Sequence, residues 1–113
     1  MSDNVRPWGK YEVLFKAPGI QIKRIEVFPG MRFSLQNHLR RAEKWVVVSG
    51  QGTVTLDARE FQVSRGSMVD VPVGQVHRLR SAAGEPLVLI EVQLGDYLEE
   101  DDIIRLADDF NRI

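Results

Sequence analysis

Hydrophobic and polar residues alternate in short runs along most of this chain, and turn-forming pairs such as Pro-Gly and Ser-Gly separate the runs. Alternation is the period of a half-buried β-strand, and glycine- or proline-containing pairs are typical of the turns between strands. The runs predicted as strands cover residues 11–15, 20–28, 31–38, 44–49, 52–57, 60–64, 67–71, 75–81 and 87–95. Repeated short strands of this kind predict an all-β antiparallel barrel or sandwich, and their number suits a jelly roll.

Two segments carry patterns of their own. Residues 54–56 and 61–63 alternate cleanly on either side of a turn at 57–60, which predicts a hairpin with one solvent-facing side. Near the C-terminus the period becomes helical, and three acidic residues at 100–102 stand where a helix N-terminus favours negative charge. We therefore expect a β core over about 20–95 and a short C-terminal α-helix over about 101–110.

Length and composition narrow the functional classes. The 113 residues contain no composition shift that marks a boundary, so a single domain over 1–113 is expected. A net charge of -1 is not the basic excess of a nucleic-acid-binding protein. No run reaches the roughly 20 apolar residues that span a bilayer, and no apolar signal segment opens the chain, so a cytoplasmic location is the default expectation.

The chain has only two histidines, His38 and His77, and both stand near residues that could share a metal ion with them. Gln36 and His38 are two positions apart, which places them on one face of a strand, and Glu43 follows closely. Imidazole and carboxylate together suit one divalent ion of Zn, Mn, Fe, Co or Ni, and the absence of cysteine leaves nitrogen and oxygen as ligands. Three roles remain open for Gln36: direct ligation of the ion, ligation through a water molecule, and orientation of a neighbouring residue.

The spacing of these residues resembles the two motifs of the cupins. The first motif is matched by Gly30, Gln36, His38, Glu43 and Gly50, and the second by Gly66, Pro72, Gly74 and His77. Further strings are similar to the type II phosphomannose isomerase domain over nearly the whole chain, from Arg6 to Arg112. They include Arg6-Pro7-Trp8-Gly9-Lys10-Tyr11, Arg41-Ala42-Glu43-x-Trp45, His77-Arg78-Leu79 and Ile90-Glu91-Val92-Gln93.

This resemblance implies a single-domain cupin, a double-stranded β-helix or jelly-roll barrel, that interconverts mannose 6-phosphate and fructose 6-phosphate. It implies metal ligands among Gln36, His38, Glu43 and His77, with the ion polarising the sugar oxygens as a Lewis acid. Glu91 and Arg112 are the catalytic candidates, and Arg41 and Gln93 are the substrate-binding candidates. Gln93 is expected to face inward with Glu91. Lys44 replaces a histidine of the family and, next to Glu43 on a strand, is expected to point away from the metal.

Other interpretations remain open at this point. The same fold and metal would suit another sugar or small molecule, because one fold hosts many chemistries. A non-enzymatic module that binds a sugar and regulates a partner is the third possibility. For any of these we expect a small-molecule partner, neither nucleic acid nor membrane, and a homodimer, since small barrels with exposed strand edges often pair.

Overall fold

In the computed structural model, which describes residues 4–99 and 102–110, the chain forms two antiparallel β-sheets around one core. The strands are β1 (Val5–Arg6), β2 (Gly9–Ala17), β3 (Ile20–Val27), β4 (Leu35–Asn37), β5 (Arg41–Ser49), β6 (Gly52–Leu56), β7 (Arg59–Val63), β8 (Met68–Val71), β9 (His77–Ser81), β10 (Leu87–Gly95) and β11 (Ile104–Ala107). One sheet has the order β1-β2-β3-β10-β5-β8 and the other β11-β4-β9-β6-β7. The predicted all-β jelly-roll fold is confirmed.

The inward-facing residues change character along the central strands. On β10 the first inward side chains are apolar, whereas those near its end are Glu91 and Gln93. The antiparallel register sets Glu91 opposite Lys23 on β3, and Gln93 opposite Glu43 on β5. The barrel interior is therefore divided into an apolar half and a polar half. The apolar half contains buried residues of both sheets, among them Ile25, Val27, Val47, Val54, Leu56, Leu79, Leu87 and Leu89.

The predicted hairpin is present with a tighter turn than expected. β6 pairs with β7 so that Leu56 lies opposite Arg59, which leaves two residues in the loop. Asp57 opens that loop with φ of 52°, a left-handed conformation that aspartate tolerates better than most residues. Among the described residues, no helix is long and apolar enough to cross a membrane.

The expected C-terminal α-helix over about 101–110 is wrong, because the described part of this segment forms strand β11. Ile104 and Arg105 pair with Asn37 and Gln36 on β4, so the segment supplies the backbone partner that the edge of β4 needs. The apolar residues that suggested a helical stripe are not fully buried: Leu106 is 50% exposed, and Ile103, Ala107 and Phe110 are half-buried. A helix this short gains little from local propensity, and sheet pairing outweighs it.

Candidate active site

Three side chains from separate strand segments meet in the polar half of the barrel. Glu43 lies on β5, His77 is the first residue of β9 and His38 directly follows β4. All three are buried, and one ligand atom from each lies within 4.8 Å of the others. Nε2 of His38 is 3.3 Å and Nε2 of His77 is 3.8 Å from the Glu43 carboxylate. The structure thus brings together three of the four predicted metal ligands.

The backbone orients both imidazoles toward this cluster. Nδ1 of His77 is 2.9 Å from the carbonyl oxygen of Gln75, and Nδ1 of His38 contacts the carbonyl oxygen of Asp102. Since a carbonyl only accepts, Nδ1 carries the proton in each ring and the Nε2 lone pair faces the centre. Histidines that ligate a metal are commonly held this way, so the donor set of two imidazoles and one carboxylate fits a divalent ion.

Burial also keeps the two histidines neutral. It lowers the pKa of His38 to about 4, and the positive charge of Arg41 acts in the same direction. Burial likewise lowers the pKa of His77. An ion that binds near neutral pH therefore does not have to displace a proton from either Nε2.

Arg41, one of the two predicted substrate-binding residues, contacts the ligand cluster of His38, Glu43 and His77. Its Nε donates to the Glu43 carboxylate at 2.9 Å, and its Nη2 donates to Nε2 of His38 at 3.0 Å. Because that nitrogen has one lone pair, an ion bound there would replace the second hydrogen bond. The contact of Arg41 with a substrate stays a prediction.

A buried chain of hydrogen bonds continues from the cluster along β10. Gln21 donates to Gln93 at 2.8 Å, and Gln93 donates to Glu91 at 2.6 Å. The indole N–H of Trp45 lies 3.0 Å from the Glu43 carboxylate and 3.3 Å from that of Glu91. Burial, and then the charge of Glu43, raise the pKa of Glu91 to about 8. Gln93 and Glu91 both face inward, as expected. With its pKa raised to about 8, the Glu91 carboxyl group can bind or release a proton near neutral pH.

One cleft of ≈ 590 Å³, counted with the solvent space at its mouth, is lined by His38, Arg41, Glu43, His77, Glu91 and Gln93. Around the same cleft lie residues outside the predicted site, notably Arg6, Tyr11, Lys23, Ser34, Ile103 and Arg105. Lys23 was recognisable only as one of several cations near the motifs. Arg105 was missed because its segment was predicted as a helix.

The remaining predicted residues have different positions. Gln36 is buried, lines the cleft and lies opposite His77 in the pairing of β4 with β9, but its direct ligation stays a prediction. Lys44 is exposed and forms an ion pair with Asp70 at 2.8 Å, facing away from the cluster as expected. Arg112 lies outside the described residues.

The chain is similar to proteins of mannose phosphate metabolism. The family described as mannose-6-phosphate isomerase C-terminal matches residues 1–108. Mannose-1-phosphate guanylyltransferase of Escherichia coli is 42% identical over 107 residues, which are 95% of this chain and 23% of that protein. The alginate biosynthesis protein AlgA of Pseudomonas aeruginosa is 47% identical over 107 residues, 95% of this chain and 22% of that protein. The chain thus spans less than a quarter of these relatives.

Solved structures show the same architecture. The capsular polysaccharide assembling protein CapF of Staphylococcus aureus superposes with a TM-score of 0.79 at 26% identity, over 92% of this chain and 33% of CapF. A double-stranded β-helix protein of Klebsiella pneumoniae superposes with a TM-score of 0.77 at 18% identity, over 96% of this chain and 94% of that one. At such low identity the second likeness concerns the fold alone.

Proposed function

The chain belongs to the mannose-6-phosphate isomerase C-terminal family, and from that premise we propose that it is a metal-dependent isomerase of mannose 6-phosphate and fructose 6-phosphate. The observation that carries the proposal is the buried cluster of His38, Glu43 and His77 beside a second buried carboxyl group, Glu91, in one cleft. Two relatives are named for mannose 1-phosphate and alginate chemistry, which supports a sugar-phosphate substrate.

The ligand cluster would hold the ion. His38 and His77 supply neutral nitrogens whose direction the carbonyl groups of Asp102 and Gln75 fix, and Glu43 supplies the charge. A divalent ion bound there would act as a Lewis acid on the carbonyl and the neighbouring hydroxyl of the open-chain sugar. Glu43 itself would be a poor base, because a bound cation stabilises its charged form.

Glu91 is the residue that we propose to move the proton between C1 and C2 of the sugar. Gln93 and Trp45 donate to its two carboxyl oxygens and so fix the direction in which it faces. Its burial keeps competing water away from the proton in transit. The position of Glu91 on the wall of the cleft, beside the ligand cluster, supports this role.

The test is a coupled isomerase assay on both sugar phosphates, using protein stripped with chelator and reloaded with Zn, Mn, Fe, Co or Ni. We expect turnover with at least one ion, loss of metal binding and turnover in His77→Ala, and normal behaviour in Lys44→Ala, whose side chain is exposed. Glu91→Gln should keep metal binding but lose turnover. An ion that binds without supporting turnover would favour another sugar substrate or a binding module.

Two broader expectations are part of the proposal. One is a homodimer, because small barrels with exposed strand edges often pair. Light scattering that gives the mass of one 12.9 kDa chain would contradict the homodimer. A cytoplasmic location is consistent with a sugar-phosphate substrate and is tested by cell fractionation.

A further inference from the structure

Three side chains form a row across three neighbouring strands of the five-stranded sheet. Arg105 on β11 lies opposite Gln36 on β4, and Gln36 lies opposite His77 on β9. Directly opposed residues of antiparallel strands point to the same face, and both Arg105 and His77 line the cleft. Neighbouring strands are ~4.8 Å apart, so the Cα atoms of Arg105 and His77 are separated by about 10 Å.

Further cations line the same cleft. Lys23, on the facing sheet, is buried, and its Nζ lies 4.3 Å from the centroid of the Tyr11 ring. The Arg6 guanidinium lies 5.0 Å from the same centroid, and its Nη2 donates to the Tyr11 hydroxyl at 3.0 Å. The cleft thus combines a metal-ligand cluster with cations from two sheets, which suits a ligand with one oxygen-rich reacting end and one anionic end.

We infer that Arg105 binds the phosphate group of the substrate; this inference rests on the proposed function. In an extended hexose 6-phosphate the phosphate lies on the order of 7 Å from the reacting carbons, along single bonds of about 1.5 Å. His77 and Arg105 lie one strand on either side of Gln36. The two strand spacings between them give enough room for a ligand of that length. A guanidinium presents paired donors that match phosphate oxygens. Lys23, which lies opposite Glu91, adds positive charge to the same cleft without being assigned to the phosphate.

Arg41 is a less suitable phosphate ligand than Arg105. It contacts His38 and Glu43, and so lies at the end of the cleft where the reacting carbons would be. Arg105 stands two strands away from His77, and the pairing of β11 with β4 holds it there. Two further contacts secure the segment: Arg78 donates to the carbonyl of Ala107 at 3.0 Å, and Arg32 forms an ion pair with Asp109 at 2.8 Å.

The experiment compares Arg105→Gln with Arg59→Gln, a matched change at an exposed residue of β7. Calorimetry on the metal-loaded protein would measure binding of inorganic phosphate and of mannose 6-phosphate, and the isomerase assay would give kcat and KM separately. We expect Arg105→Gln to weaken both binding constants about 10- to 100-fold, as loss of a charge-assisted hydrogen bond does, and to raise KM more than it lowers kcat. Metal affinity should stay unchanged.

Unchanged binding of inorganic phosphate and of mannose 6-phosphate in Arg105→Gln would overturn the inference. That result would also be obtained if phosphate bound only to the metal. Arg105→Lys keeps the charge and serves if Arg105→Gln fails to fold; a partial loss of binding is expected, and wild-type binding would again overturn the inference. Loss of phosphate binding in a protein that isomerises neither sugar phosphate would contradict the proposed reaction but support the phosphate site.

Discussion

Nδ1 of His38 donates a hydrogen bond to the backbone carbonyl of Asp102, a residue 64 positions later in the chain. The Asp102 carboxylate reaches back to the same loop and accepts the backbone N–H groups of Leu39 at 3.1 Å and Arg40 at 3.0 Å. One residue of the C-terminal segment therefore fixes both the direction of the His38 ring and the loop that follows it.

We expect Asp102→Ala to weaken metal binding about tenfold, because it removes the carboxylate that holds the loop after His38, and so loosens the contact of His38 with the backbone carbonyl that remains. Asp102→Asn should retain part of the affinity, since an amide oxygen still accepts from the loop. Cobalt titrations followed by absorption would measure both variants. Asp96→Ala is the matched control, because Asp96 is an exposed acid that pairs with the Arg40 side chain at 3.1 Å. Equal affinities in Asp102→Ala and Asp96→Ala would contradict the positioning role.

Metal removal should lower the free energy of unfolding. A ligand that binds only the folded state stabilises it by about 2.7 kcal/mol at a concentration of 100 Kd, so Tm should rise with ion concentration and fall with chelator. His77→Ala removes one of the three clustered ligands and should abolish the dependence. Differential scanning calorimetry over a range of ion concentrations is the measurement. A Tm of the wild-type chain that does not change with ion concentration would contradict a metal site.

The chelator-treated protein should lose stability in mild acid. The pKa of His38 is lowered to about 4 and that of His77 is also lowered, so the unfolded chain binds more protons below pH 6.5. The free energy of unfolding is therefore highest above pH 6.5. It falls by about 1 to 3 kcal/mol as the pH drops toward the folded-state pKa of His38. Urea unfolding at pH 7.5 and 5 would test this. His38→Asn should reduce the fall, and an equal fall in that variant would assign it to other groups.

Most strands could be predicted because alternation is a local signal with a physical cause: every second side chain enters the core. The orientation of Glu91 and Gln93 could not be decided in the same way, since a polar face suits either solvent or a cleft. Their inward orientation depends on the register between strands, which sets Glu91 opposite Lys23 and Gln93 opposite Gln21 on β3. Such pairing joins residues far apart in sequence, and no local period encodes it.

The C-terminal segment shows the opposite case, in which a local signal is misleading. Its helical spacing was real, but β4 offered backbone partners, and pairing decided the conformation. The error concealed Arg105 in particular, because a residue assigned to a surface helix has no predictable neighbour across a sheet. The ligand cluster was predictable for a different reason: ligand chemistry restricts the residue types strongly, and the chain has only two histidines.

Gln36→His should tighten metal binding, and the neighbouring Lys44→His should not. Gln36 is buried opposite His77 and lines the cleft, so an imidazole there would add a third nitrogen donor to the cluster. Imidazole binds Zn, Co and Ni more strongly than an amide oxygen does, and we expect at least a tenfold gain in affinity. Lys44 is next to Glu43 in sequence but faces solvent and pairs with Asp70, so a histidine there adds no ligand. Competition with a chromogenic chelator would compare the two variants. Equal affinity in both would show that Gln36 does not approach the ion, and a gain in Lys44→His alone would place the ion on the other face of β5.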